Sequence, residues 1–236
     1  MKAITAKTKN VMAAFDAYQT VEQAAQEGSP AMALFSGQAG LGKTTAGAFL
    51  FVQADGILVR CLKSDTMGTL LERLAQDLGL DKRQRKADMI NFIVRELALT
   101  GKPLFIDEAD YLADKTEVLE TIRDIYDLSG VPIVLIGYEH LPKKIKRLPQ
   151  LFGRISQHVQ FQKADEEDIS IMASELVEHT VIAPDLLQEL LDASKGNFRR
   201  ITTGLASIEK FAKSNSLKTI DADQWAGRQF FPVAEL

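Results

Sequence analysis

The sequence predicts an α/β fold: a five-stranded parallel sheet flanked by helices, followed by a small helical domain. Three observations lead there. Short apolar runs alternate with longer amphipathic segments through the first two thirds of the chain, as strands do when helical crossovers join them in parallel. A glycine-rich segment, Gly37-Gln38-Ala39-Gly40-Leu41-Gly42-Lys43-Thr44, lies where the first apolar run gives way to the first helical pattern. After Phe161 the strand signals stop, and helical periodicity continues towards the C-terminus.

In chain order, Val11, Phe15 and Tyr18 share one face of a lead-in helix. The strand candidates are Ala31 to Ser36, Gly56 to Cys61, Pro103 to Ile106, Pro132 to Ile136 and His158 to Phe161. Helices are expected over Lys43 to Gln53, Met67 to Leu78, Arg85 to Leu99 and Lys115 to Leu128, where apolar residues recur three and four apart. Beyond Phe161 come Asp165 to His179, Pro184 to Ala193 and Asn197 to Ser214, with acidic residues near two helix starts and Gly196 as a stop signal. We therefore divide the chain into a core over residues 1–163 and a helical domain over residues 164–236. Trp225, Phe230 and Phe231 in the tail read as packing pieces.

Composition narrows the class. Of 236 residues, 46% are hydrophobic and 25% charged, ordinary values for a globular chain. No apolar run approaches the ~18 residues that a membrane span needs, and the start lacks the apolar stretch of a signal peptide. A single cysteine, Cys61, sits in an apolar strand, where a reduced, buried thiol is expected. Together these point to a cytoplasmic protein without a membrane partner. The net charge of -4 gives no global attraction to nucleic acid, so such binding would need local patches. Two are present: Lys82, Arg83, Arg85 and Lys86, and Lys143, Lys144, Lys146 and Arg147.

The segment from Gly37 to Thr44 satisfies the phosphate-loop pattern in full, in the strand-to-helix context that the pattern requires. Glycines let successive N–H groups converge on phosphate oxygens, and the helix N-terminus adds partial positive charge. Lys43 is placed to reach the β- and γ-phosphates and Thr44 to hold Mg²⁺; Thr45 follows on the same turn. About sixty residues on, Pro103-Leu104-Phe105-Ile106 ends in Asp107 and Glu108. A strand adjacent to the phosphate-loop strand would deliver Asp107 to the Mg²⁺ shell and Glu108, as general base, to a water facing the γ-phosphate.

The run Asp107-Glu108-Ala109-Asp110, a fourth strand and then Phe152-Gly153-Arg154-Ile155 resemble the AAA+ ATPases. That resemblance implies ATP as the nucleotide. It also implies that Arg154, with Arg147 as second choice, reaches the γ-phosphate of a neighbouring subunit. Gly196-Asn197-Phe198-Arg199 looks like the sensor-2 element, which makes Arg199, or its neighbour Arg200, a nucleotide contact. The chain departs from the pattern after the fourth strand. Gly137-Tyr138-Glu139-His140 stands where the superfamily commonly has Asn, Thr or Ser, which leaves open whether Tyr138 or His140 touches the nucleotide.

Within AAA+, the segments GQAGLGKTTA, VLIGYEHLP and RLPQLFGRI together resemble the phage Mu B-like DNA transposition ATPases, over about residues 8 to 230. That likeness implies self-association into a helical filament or ring on duplex DNA with little sequence preference. It further implies delivery of target DNA to a transposase, with DNA-stimulated hydrolysis. Lys82, Arg83, Arg85 and Lys86 are the preferred DNA contacts over Lys143 and Lys144. An alternative is a helicase loader or adaptor that acts on a protein ring.

Overall fold

A computed structural model describes residues 1–80 and 84–231. The chain divides into two compact units, one of Ala13–Gln38 and Lys43–Gln160, the other of Met1–Met12, Ala39–Gly42 and the chain from Phe161 onward. Helix α1 spans Lys9–Gln26. In the larger unit it is followed by β1 (Met32–Ser36), α2 (Lys43–Gln53), β2 (Ile57–Arg60), α3 (Met67–Asp77), α4 (Lys86–Thr100) and β3 (Leu104–Asp107). A 3₁₀ turn at Ala109–Tyr111 leads to α5 (Thr116–Ser129), β4 (Ile133–Gly137), the short α6 (Leu141–Ile145) and α7 (Pro149–Phe152), and β5 (Ile155–Gln160).

All five strands are parallel and lie in the order β2-β3-β4-β1-β5. Alternation along each strand sends side chains to two covered faces, as parallel sheets require. Met32, Leu34, Leu104, Ile106, Ile133 and Leu135 join the core cluster formed with α3, α4 and α5. The alternate residues Phe35, Phe105, Val134 and Ile136 are also buried. On that side Tyr18 of α1 sits 5.5 Å from Phe105, ring centre to ring centre. Each large side chain fully buried in this way contributes about 1.5–3 kcal/mol. Cys61 is buried and free, and burial is the main cause that pushes its thiol pKa up to about 12, so the sulfur stays protonated and inert.

The sheet order corrects one expectation: β3 does not neighbour β1, because β4 lies between them. Asp107 still reaches the phosphate loop. Helix α2 packs against β2, β3 and β4, so its first turn is carried beyond the strand next to β1. The fifth strand also begins earlier than the apolar run suggested, at Ile155.

In the other unit, α8 (Glu166–Leu176) starts at a capping box in which the Asp165 carboxylate accepts from Asp168 N and the Asp168 carboxylate accepts from Asp165 N. Helices α9 (Pro184–Ser194), α10 (Phe198–Ser214) and α11 (Ala222–Trp225) follow. Strand structure does recur here, contrary to the expectation of helices alone. Val181–Ile182 (β6) and Thr219–Ile220 (β7) form a two-stranded parallel pair, too short for a two-residue alternation to register. The aromatic tail packs as expected: Trp225 stacks on Phe230 at 5.4 Å and meets Phe211 edge-on at 5.5 Å. No helix among the described residues is long and apolar enough to cross a membrane.

Candidate nucleotide site

The phosphate loop is the turn that carries the chain from Ser36, the end of β1, to Lys43, the start of α2. Gly40 and Gly42 have φ of +78° and +90°, conformations that side chains rarely adopt. Gly40 also has no space for one, since a Cβ would lie 2.3 Å from Asn197 Nδ2. Lys43 Nζ folds back to donate to Gly37 O at 2.7 Å and Gln38 O at 2.8 Å, so the loop's own carbonyls hold the ammonium. Thr44 and Thr45 are exposed on the first turn of α2.

Thr44 Oγ1 lies 3.1 Å and 3.4 Å from the two oxygens of Asp107. Asp107 is 3% exposed. Burial raises its pKa, while hydrogen bonds from the Thr44 hydroxyl and the Glu108 N–H pull the other way. Hydroxyl and carboxylate therefore already converge. Mg²⁺ takes one or two such ligands together with phosphate oxygens and water, so this donor pair fits a magnesium ion carried by a nucleotide.

Glu108 follows in left-handed backbone, φ +56° and ψ +37°, which for a residue with a side chain costs about 1–3 kcal/mol. From this turn the Glu108 carboxylate meets Arg60, whose Nη2 is 3.1 Å from Glu108 Oε1. Arg60 Nε is 3.9 Å from Asp107 Oδ2. Sequence reasoning missed Arg60. Its signal is the parallel register, which pairs Arg60 with Asp107 at the ends of β2 and β3.

Asp110 is tied to the end of β4. Its Oδ2 accepts from Tyr138 N at 2.5 Å, and Gly137 is required there because a Cβ would come within 2.6 Å of that oxygen. Burial raises the Asp110 pKa, opposed by the Tyr138 N–H. Tyr138 presents its ring 6.0 Å from Lys43 Nζ, within cation–π range, and His140 packs edge-on against Tyr138 at 5.7 Å. Of the two residues left open, Tyr138 is the one next to the P-loop lysine.

The remaining predicted residues make contacts of their own, are exposed or lie outside the described residues. Arg154 makes a two-pronged ion pair with Asp127, at 3.0 Å and 2.9 Å. Arg147 is exposed. In the smaller unit, Arg199 N donates to Gly40 O at 3.1 Å. The Arg199 side chain is exposed, whereas Arg200 lies over the Phe231 ring at 4.3 Å. Lys82 and Arg83 lie outside the described residues. Arg85 pairs with Asp88 at 2.9 Å and Lys144 with Asp114 at 2.7 Å, while Lys86 and Lys143 are exposed.

A glycine-rich loop after the first strand, an acid-tipped strand that converges on it and a 2-3-4-1-5 parallel sheet define a P-loop ATPase of the AAA+ class. Residues 26–145, about half of the chain, match the AAA domain family, and the chain belongs to that family. It is similar to the Mu-like prophage FluMu DNA transposition protein B of Haemophilus influenzae, 28% identical over 152 residues that cover 60% of this chain and 52% of that protein. The Holliday junction branch migration complex subunit RuvB of Lactobacillus helveticus is 30% identical over 204 residues, 79% of this chain and 53% of that one. The chain spans about half the length of these curated relatives. Among solved structures, the Aeropyrum pernix ORC2 protein superposes with a TM-score of 0.71 at 16% identity, covering 92% of this chain and 70% of the other, which speaks to the fold alone.

Proposed function

We propose that the protein hydrolyses ATP, assembles on duplex DNA with little sequence preference and delivers that DNA to a transposase. The observation that carries the catalytic part is the convergence of Thr44 on the buried Asp107 at 3.1 Å, with Glu108 next in the chain. In this reading Lys43 leaves the Gly37 and Gln38 carbonyls to bind phosphate oxygens, and Thr44 and Asp107 would hold Mg²⁺. When bound, the ion supplies charge that neutralises the phosphate oxygens. Glu108, released from Arg60, takes a proton from the attacking water at its carboxylate. Arg199 contacts nucleotide within the chain, whose working parts are the core over 1–163 and the lid over 164–236. Arg154 exchanges Asp127 for the γ-phosphate of a neighbouring copy, where its fixed charge and forked donors suit phosphate.

The transposition part rests on the likeness to the FluMu protein B and on the basic clusters at 82–86 and 143–147. In a filament or ring a modest stripe repeats in every copy, so weak phosphate contacts add along the duplex. That arithmetic tolerates a net charge of -4. The deciding experiment is ATP turnover with and without duplex DNA, with negative-stain imaging of the same samples and a salt titration of DNA binding. Stimulated turnover, filaments along the duplex and a salt slope of about -0.9 per phosphate contact are expected. Turnover indifferent to DNA, with DNA-free rings or monomers, would overturn the transposition reading in favour of a loader or adaptor acting on protein.

A further inference from the structure

A phosphate loop binds through N–H groups, so its carbonyls must be turned the other way. In a trans peptide the C=O of one residue and the N–H of the next point in opposite directions, and there are no cis peptides among the described residues. Three successive carbonyls of this loop are capped. Ala39 O accepts from Asn197 Nδ2, Gly40 O from Arg199 N and Leu41 O from Asn10 Nδ2, each at 3.1 Å. All of these residues belong to the smaller compact unit.

Neighbouring groups set the orientation of both asparagine amides. Asn10 is 4% exposed. Its Oδ1 accepts from Gln162 N at 3.0 Å and its Nδ2 donates to Gln162 O at 2.7 Å, a backbone pairing that leaves the second Nδ2 proton for Leu41 O. Asn197 uses Oδ1 to accept from Arg200 N at 3.2 Å as the N-cap of α10, which leaves Nδ2 for Ala39 O. Gly40 gives Asn197 the room to approach.

We propose that Asn10 and Asn197 are positioning residues for polyphosphate binding, and that they clamp the loop from behind at Ala39 O and Leu41 O so that the N–H groups of Gly40 and Gly42 are held on the opposite, phosphate-facing side, as the Arg199 N–H holds that of Leu41 through Gly40 O. The proposal rests on the nucleotide-site reading above. Neither asparagine has to touch the nucleotide. Their contribution is to fix two peptide planes before the ligand arrives, and a hydrogen-bonded carbonyl also polarises its own peptide into a stronger donor.

Asparagine and aspartate cap helices equally well, and serine nearly so. Asn197→Asp and Asn197→Ser therefore keep the α10 cap and remove the amide donor to Ala39 O, the aspartate alone adding a charge there. With the full chain, Mg²⁺ and ADP as the probe, calorimetric affinity and thermal melting are measured for wild type, both Asn197 variants and Asn10→Asp. The expected result is melting of both Asn197 variants close to wild type with ADP bound about tenfold more weakly, and a similar affinity loss with a lower melting temperature for Asn10→Asp. Equal weakening in the Asp and Ser variants assigns the effect to the lost donor and not to new charge. Wild-type ADP affinity in both Asn197 variants overturns the clamp alone, as does an affinity loss in the two Asn197 variants that comes with a comparable fall in their melting temperatures. A wild-type chain that binds no ADP overturns the site reading and the clamp with it.

Discussion

The two ends of the phosphate loop and its middle are built from different chemistry. Lys43 and Thr44 belong to the larger unit, where ionisable groups gather at strand ends: Asp107 on Thr44, Arg60 on Glu108 and Asp110 on the Tyr138 amide. Residues 39–41 belong to the smaller unit, where neutral amides meet them: Asn10, Asn197 and the Arg199 backbone. A group that must meet charged phosphate or move a proton has to be ionic. A group that only has to hold a peptide plane is better neutral, because a buried unpaired charge is costly.

The difference predicts that breaking the charged set abolishes function while breaking the neutral set attenuates it. Lys43→Ala removes the charge-assisted donors and should weaken ATP binding on the order of a hundredfold, about 3 kcal/mol; near-normal affinity in a calorimetric titration would displace the site. Glu108→Gln keeps the size and polarity of the side chain but removes the carboxylate proposed as general base. ATP binding should persist while turnover falls by about 10² to 10⁴, and a variant that turns over normally would move the general base elsewhere. Gly40→Ala attacks the neutral set through the backbone. It combines φ +78° with a clash against Asn197 and should cost about 1–3 kcal/mol, seen as a lower melting temperature with weaker ADP binding.

The smallest effect expected is on the sheet beside the loop. Ser36 Oγ and His158 Nε2 are 2.8 Å apart across β1 and β5, and partial desolvation holds the His158 pKa below its ordinary 6.5. The unfolded chain therefore binds the proton more readily, and this increment of stability is complete above pH 6.5 and lost as pH falls through the lowered pKa. Urea midpoints for wild type and His158→Gln should converge on acidification below pH 6.5. A constant difference would remove the histidine from the account.

Much of this was legible because the signals were local and repeated. The five apolar runs became the five strands, and α2 spans the predicted helix, Lys43–Gln53. The P-loop and Asp107-Glu108 were readable from residue type and spacing alone. What the sequence concealed depended on lateral order. Neither the insertion of β4 between β1 and β3 nor the register that sets Arg60 opposite Asp107 leaves a mark in linear spacing. The β6–β7 pair has only two residues per strand, below the length at which alternation can be recognised. Asn10 lies 31 residues from its partner Leu41 and 152 from Gln162, and a lone asparagine near a chain start reads as solvent-facing.

The single, buried Cys61 has a practical consequence. With its thiol pKa pushed up to about 12, the wild-type chain should be silent to maleimide reagents under native conditions. A cysteine introduced at an exposed position such as Lys143 or Lys86 would then be a unique chemical handle, without any background cysteine to remove. Dyes attached there would test whether copies of the chain assemble and whether duplex DNA approaches them, in a protein that keeps its native core.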